Sequence, residues 1–330
     1  MKSGTTLRVL TYHRIITPEQ AYPHNLSLIS ATPAMFARHM EMLARHYNVI
    51  DMPTALAAFT SGDRLPQRAV LITFDDAYPD FLEHAWPVLR EHRLPATLFV
   101  PTAYPDMPGR WFWWDRLYAA VMTTTAQQLD DVALGHMSLA TPEARRLCAH
   151  VVGDRVKQLP HDQAMLWVDD ICQQLPGPEL KPAGILGWDE LRALAGQGIT
   201  IGAHSRTHPL MTRIPAAQIR EEIRGSLQDI RDRIGECLPV FCYPAGAYNR
   251  ETCEIAGSEG IVLGFSTRLG HNHIEGTDPL SLRRINISPR TTPLVLRGRL
   301  SRLGIHADIW RQQIKFRLRN LQQRPATQTM

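Results

Sequence analysis

The sequence predicts an α/β protein built on parallel strands with helices packed outside them. Three observations carry that expectation: short apolar runs bounded by turn residues, amphipathic helical stretches between them, and polar clusters placed just after the runs. The runs fall at residues 9–12, 69–74, 96–100, 199–203, 240–243 and 261–265. Runs this short, without polar alternation, suit strands buried on both faces. Alternating strand and helix gives a doubly wound sheet or a closed barrel, and in either case functional residues gather at the C-terminal strand ends.

The elements follow in order. The run at 9–12 leads into His13. Thr32-Pro33 then reads as N-cap and first helical position, with Phe36, Met40 and Leu43 on one face. The run at 69–74 ends in Thr73-Phe74-Asp75-Asp76, and a helical segment follows at about 79–92. Between about 105 and 187 the rhythm fails. Asp130-Asp131, Thr141-Pro142-Glu143 and Leu175-Pro176-Gly177-Pro178 punctuate helical stretches without clear strands, which predicts a helical insertion. The run at 199–203 leads into His204. A helix over 215–235 then places Ile219, Ile223, Leu227, Ile230 and Ile234 on one stripe, with Glu221, Arg224, Asp229 and Arg233 outward. Domain organisation is therefore one α/β unit over 1–293 and a basic helical tail over 294–330.

With 330 residues and 44% hydrophobic content, the chain can bury one large core, or one core and a satellite. Its 36 basic and 32 acidic residues leave a net charge of +4, too small and diffuse for a nucleic-acid partner to be expected. The cysteines, Cys148, Cys172, Cys237, Cys242 and Cys253, form no CxxC pair and read as reduced, inert fillers. The first residues lack the apolar core of a signal peptide, and no stretch reaches the ~20 apolar residues of a membrane span. A cytoplasmic location is the expectation.

Two adjacent carboxylates at a strand exit repel, and one holds a proton unless a cation lies between them. Asp75-Asp76 thus fits either a metal site or a helix cap. His204 and His208, four residues apart after another strand, add imidazoles that can face one point, which favours a divalent metal. The third cluster, Phe241-Cys242-Tyr243-Pro244-Ala245-Gly246, has a turn able to aim a backbone N–H at a developing oxyanion.

Thr-Phe-Asp-Asp, then His-Ser-x-x-His-Pro, then Phe-x-Tyr-Pro-x-Gly resembles, in that order, the polysaccharide deacetylase (NodB-homology) family, over roughly residues 9–288. The resemblance implies a distorted parallel (β/α) barrel interrupted by the largely helical insertion at about 105–187. It implies that Asp76, His204 and His208 bind a divalent metal, with zinc the expected ion, and that Asp75 is the general base. The backbone N–H of Ala245 stabilises the oxyanion by the same analogy. The activity implied is metal-dependent removal of an N-acetyl or other acyl group from an amino sugar, in a polysaccharide or a lipid-linked saccharide.

The sequence departs from the family pattern in three places. No late Leu-x-His segment supplies the general acid, so His13, at the end of the first strand as in circularly shifted members, is the candidate; His271, His273 and His306 are weaker ones. Cys242 stands where many members carry an arginine that orients the base, and Ala245 replaces an aromatic residue. A metal amidohydrolase acting on a non-sugar amide, or a catalytically silent saccharide-binding homologue, are the rival readings.

Trp111-Phe112-Trp113-Trp114-Asp115 opens the insertion and offers either sugar-stacking faces or anchors for the insertion; the same choice holds for Trp188. In the tail, Trp310, Ile314, Leu318 and Leu321 lie near helical spacing among arginines, a pattern for peripheral contact with an anionic inner membrane face, or for a surface helix packed on the barrel.

Overall fold

Seven parallel strands close on themselves. The computed structural model describes residues 5–322. Its barrel strands are β1 (Thr6–Tyr12), β2 (Ala69–Asp75), β3 (Thr97–Val100), β4 (Thr200–Ala203), β5 (Val240–Cys242), β6 (Leu263–Leu269) and β7 (Leu282–Asn286). Each pairs in parallel with the next, and β7 pairs with β1 through Leu10↔Ile285 and Thr11↔Asn286. Ring order is therefore chain order. Short strands Asn48–Ile50 and Asn272–His273 extend the sheet beside β2 and β1.

Side chains alternate across each strand, and this period separates two cores. Val9, Leu71, Phe99, Val240 and Phe265 fill one, with the Phe99 and Phe265 rings 5.3 Å apart. Leu10, Ile72, Leu98, Ile201 and Phe241 join the other, where most of the barrel's helices pack, whereas Met52, Ala55 and Ala58 join the first. Leu71, Thr73 and Asp75 share one face of β2, so the base candidate shares the face of its strand that carries barrel-core residues.

The outer helices are α1 (Pro33–His46), α2 (Met52–Thr60), α3 (Trp86–Glu91), α4 (Trp113–Thr123), α5 (Pro142–Val156), α6 (His161–Gln173), α7 (Trp188–Ala195), α8 (Ala216–Ile234), α9 (Arg250–Ser258), α10 (Pro293–Leu300) and α11 (Arg302–Gln322). Thr32 caps α1 as expected, accepting from the Met35 N–H, and Phe36, Met40 and Leu43 are buried. The segment expected as one helix at 79–92 begins instead with a π-helical turn, Phe81–Ala85.

Helices α4 to α6 form the insertion with their own core of Leu117, Val121, Cys148, Val152, Val168 and Ile171. Contrary to the sequence reading, it contains a hairpin, Gln128–Asp131 with Gly135–Ser138. Only Leu129 of these strands is buried, so no alternating apolar pattern announces them. Strand β7 was equally silent, because Arg283 and Arg284 interrupt its apolar run. The basic tail divides into two helices. Leu296, Leu300 and Ile305 are buried against the barrel, and Arg299 Nε donates to Asp308 Oδ2 at 2.7 Å, while Trp310 stays 64% exposed. The side chains of Leu318 and Leu321 lie outside the described residues. Among the described residues no helix is long and apolar enough to cross a membrane.

Candidate active site

The loops that leave β2, β4 and β5 carry the chemistry, and their backbones are unusual. Asp76 (φ 71°), Ala77 (53°), Ser205 (62°), His208 (60°) and Ala245 (52°) all adopt left-handed conformations. Such strain, of order 1–3 kcal/mol per residue, persists only where surrounding structure over-determines it, and it concentrates at functional sites. Gly246 (φ +68°) is required for a second reason: an added Cβ would lie 2.1 Å from Thr267 Oγ1.

On one side of the barrel mouth, Asp76 Oδ1 lies 3.5 Å from His204 Nε2 and 3.3 Å from His208 Nε2, with all three residues buried. Ligands held about 2.0–2.2 Å from a tetrahedral zinc would stand roughly 3.4 Å apart, so the spacing fits. His204 Nδ1 is 2.7 Å from the Cys242 carbonyl, which only an N–H can satisfy, leaving Nε2 bare as a ligand. Asp76 Oδ1 is buried with no hydrogen-bond partner, an arrangement expensive for a carboxylate unless a cation takes the place. Burial alone would raise the Asp76 carboxyl; with no cation between them, protonated imidazoles would outweigh burial and hold it below its ordinary range.

The loop between the histidines is held from beneath. Glu222 of α8 is buried; its Oε2 accepts from the Arg206 and Thr207 N–H groups at 2.7 and 2.8 Å, and its Oε1 from the Thr207 hydroxyl at 2.6 Å. Ser205 Oγ accepts from the His208 N–H at 3.0 Å. These four bonds support the left-handed turns that aim both rings at Asp76.

On the other side, Asp75 meets Arg284. The guanidinium, fully buried, donates from Nη1 to Asp75 Oδ1 at 2.8 Å and from Nη2 to Oδ2 at 2.7 Å; Nε donates to the Ser266 carbonyl at 2.7 Å. Burial pushes the Asp75 carboxyl up, but Arg284, with His204 and His13, draws it down past its ordinary value. Arg284 thus occupies in space the role left vacant by Cys242, whose thiol lies 3.6 Å from Asp75 Oδ2. His13 Nε2 stands 3.9 Å from Asp75 Oδ2, half-buried at the exit of β1.

A cleft of about 500 Å³ joins these groups, lined by His13, Asp75, Asp76, His204, His208 and Ala245. His13, Asp75, Asp76, His204, His208 and Ala245 therefore meet in one place. His271 and His273 do not: they bond to the Arg299 carbonyl and the Thr6 hydroxyl, at the opposite barrel end. His306 lies exposed on α11. In the aromatic run, Phe112 is buried and Trp114 stacks on it at 4.4 Å while meeting the His208 ring edge-on at 4.6 Å. Trp114 Nε1 donates to the Tyr78 hydroxyl (3.0 Å), which donates to Asp115 Oδ2 (2.6 Å); Asp115 Oδ1 accepts from the Asn25 N–H (3.0 Å). Burial raises the Asp115 carboxyl to about 6 against the lowering effect of these bonds. Trp188 is buried core. Sequence reasoning missed Arg284, Glu222 and Asp115. The one available signal was Glu222, a glutamate at the border of the apolar stripe of an amphipathic helix.

Comparison with known proteins agrees with this geometry. A family model described as polysaccharide deacetylase matches residues 62–264. YxkH of Bacillus subtilis (strain 168), which carries the name of a polysaccharide deacetylase, is 22% identical over 256 residues, 77% of this chain and 64% of that protein. The chain thus spans just under two thirds of that relative. The deacetylase PplD of Streptococcus pyogenes, solved with acetate, superposes with a TM-score of 0.63 at 19% identity, over 91% of this chain and all of that one. IcaB from Ammonifex degensii gives 0.57 at 18% identity, over 91% and 99%. A de-N-acetylase from Aggregatibacter actinomycetemcomitans gives 0.59 at 15%, over 89% and 99%. These structures share the fold, and with the family model matched over more than half of its length, the chain belongs to the polysaccharide deacetylase family.

Proposed function

We propose that the protein hydrolyses the N-acetyl amide of an amino sugar in a saccharide chain. The observation that carries this reading is the convergence of an Asp76–His204–His208 ligand set and an arginine-held Asp75 at one cleft. A divalent cation held by Asp76, His204 and His208 would supply Lewis-acid polarisation of the amide and a water of lowered pKa. Zinc suits this donor set.

The chain's own groups then divide the work. Asp75, kept ionised by Arg284, accepts the proton of the attacking water. The N–H of Ala245, on its strained turn, faces the oxyanion that forms as the water oxygen adds to the carbonyl carbon. His13 donates a proton to the sugar nitrogen as the C–N bond breaks, giving amine and acetate. Trp114 closes one wall beside His208.

A lipid-linked saccharide at the inner membrane face is the finer extension. Its support is the exposed Trp310 among the tail arginines, and tail truncation that leaves anionic-vesicle binding unchanged would remove it. For the central reading, acetate release from an N-acetylhexosamine oligomer by metal-reconstituted protein is expected. Asp75→Asn should lower it about a thousandfold while sparing metal binding. Saccharide binding with no turnover under any divalent metal would instead identify a silent binding protein.

A further inference from the structure

The cleft continues past the paired carboxylates to the insertion, where α4 and α5, packed together, contribute to its lining. Helix α5 has two faces. Cys148, Val152 and Val156 are buried in the insertion core. Arg146, His150, Gly153, Asp154 and Lys157, at spacings of three, four and seven, line the cleft instead. A Cβ added to Gly153 would meet nothing within 4 Å, so the middle of this wall stands open although alanine would make a more stable helix.

The charges on the wall have counter-charges close by, with Glu143 just outside the cleft lining. Asp154 lies 3.3 Å from His150 Nε2 and 3.9 Å from Lys157 Nζ, and Arg146 Nη2 donates to Glu143 at 2.5 Å. Donors and acceptors side by side, with little net charge, match hydroxyl groups, which both donate and accept, better than an anion. Half-buried Trp113 of α4 adds an amphipathic ring to the same cleft. At its inner end stands Asp76, buried and with Oδ1 unpartnered.

We propose that the α4–α5 part of the cleft is a second saccharide subsite that takes a neutral pyranose ring next to the amino sugar at the catalytic centre. The subsite rests on the deacetylase reading and makes the insertion the specificity element of that reaction. A chain substrate then binds across both ends of the cleft, and a monosaccharide across one.

The test compares kcat/KM for acetate release from an N-acetylglucosamine pentamer and from the monosaccharide. Wild type should prefer the pentamer, and Gly153→Leu, which fills the open wall, should lower the pentamer-to-monosaccharide ratio at least tenfold. Asp154→Ala, which breaks both ion pairs without adding bulk, should lower the same ratio threefold or more, so the outcome does not hang on one variant folding. Equal use of both substrates by wild type, or an unchanged ratio in both variants, overturns the subsite. If wild type releases no acetate from either, the deacetylase reading fails instead. Calorimetric binding of the pentamer to wild type and Gly153→Leu then decides the subsite alone, and equal affinities overturn it.

Discussion

The two sides of the barrel mouth are built in opposite ways. Around Asp75 the strong polar groups have partners: the carboxylate is gripped by both arms of Arg284, whose Nε–H binds the Ser266 carbonyl and whose Nη1 also donates to the Thr73 hydroxyl. Around Asp76, two imidazole nitrogens face a carboxylate oxygen, Oδ1, that has no hydrogen bond. A satisfied network fixes one protonation state and one rotamer. An unsatisfied cluster of electron-pair donors keeps a place for a cation. The adjacent residues of one Asp-Asp pair thus have different chemistry because their surroundings differ, and the sequence motif alone does not separate them.

Removing Arg284 should break this contrast most severely. Arg284→Met leaves Asp75 buried without its counter-charge, so burial pushes its carboxyl upward. Activity at neutral pH should fall about a hundredfold, and the acid limb of kcat/KM against pH should move to higher pH. Stability should fall by about 3–5 kcal/mol, as when one partner of a buried ion pair is lost. Arg284→Lys keeps the charge but not the fork, and should recover only part of the loss. An acid limb that stays in place would show that Arg284 does not set the ionisation of Asp75.

Glu222 sharpens the contrast from the metal side. Glu222→Gln keeps the shape but weakens the grip on the Arg206 and Thr207 N–H groups, so zinc affinity, measured by chelator competition, should drop about 10–100-fold. The cobalt-substituted protein should show altered visible bands. Unchanged affinity and spectrum would make Glu222 a packing residue only.

A third effect, on stability and not on the site's chemistry, belongs to Asp115, which borders the Asp76 side through Tyr78 and Trp114. Its carboxyl titrates near 6 in the folded protein and near the ordinary aspartate value when unfolded. Between those values the folded state holds the proton longer, so stability declines as pH rises from about 4 to about 6 and levels off above. Asp115→Asn should remove that slope, worth on the order of 2–3 kcal/mol, in urea denaturation followed across this window. A slope unchanged in the variant would place its origin elsewhere.

Much of this was legible in the sequence, for physical reasons. Strands buried on both faces read as apolar runs, and Asp75, Asp76, His204 and His208 follow such runs directly, so their meeting could be anticipated from strand ends alone. Arg284 could not be anticipated that way. A buried arginine breaks the apolar run that would reveal its strand, and its partner lies 209 positions away. Glu222 was hidden differently: on a helical wheel it borders the polar face beside Glu221, and only the loop beneath which it packs distinguishes the two. The hairpin in the insertion escaped because its strands bury a single leucine.

The closure of β7 onto β1 has a consequence in time. During synthesis, β1 to β6 emerge before Arg284, so the Asp75 carboxylate has no guanidinium partner until the last strand arrives. Such long-range closure is slow to form and exposes unpaired strand edges meanwhile. Chains halted before residue 282 should therefore stay protease-sensitive in a ribosome-stalling series, with protection appearing only once β7 has cleared the exit tunnel. Early protection would show that six strands suffice. Asp75 thus gains its counter-charge only in the final step of assembly, when the barrel is whole.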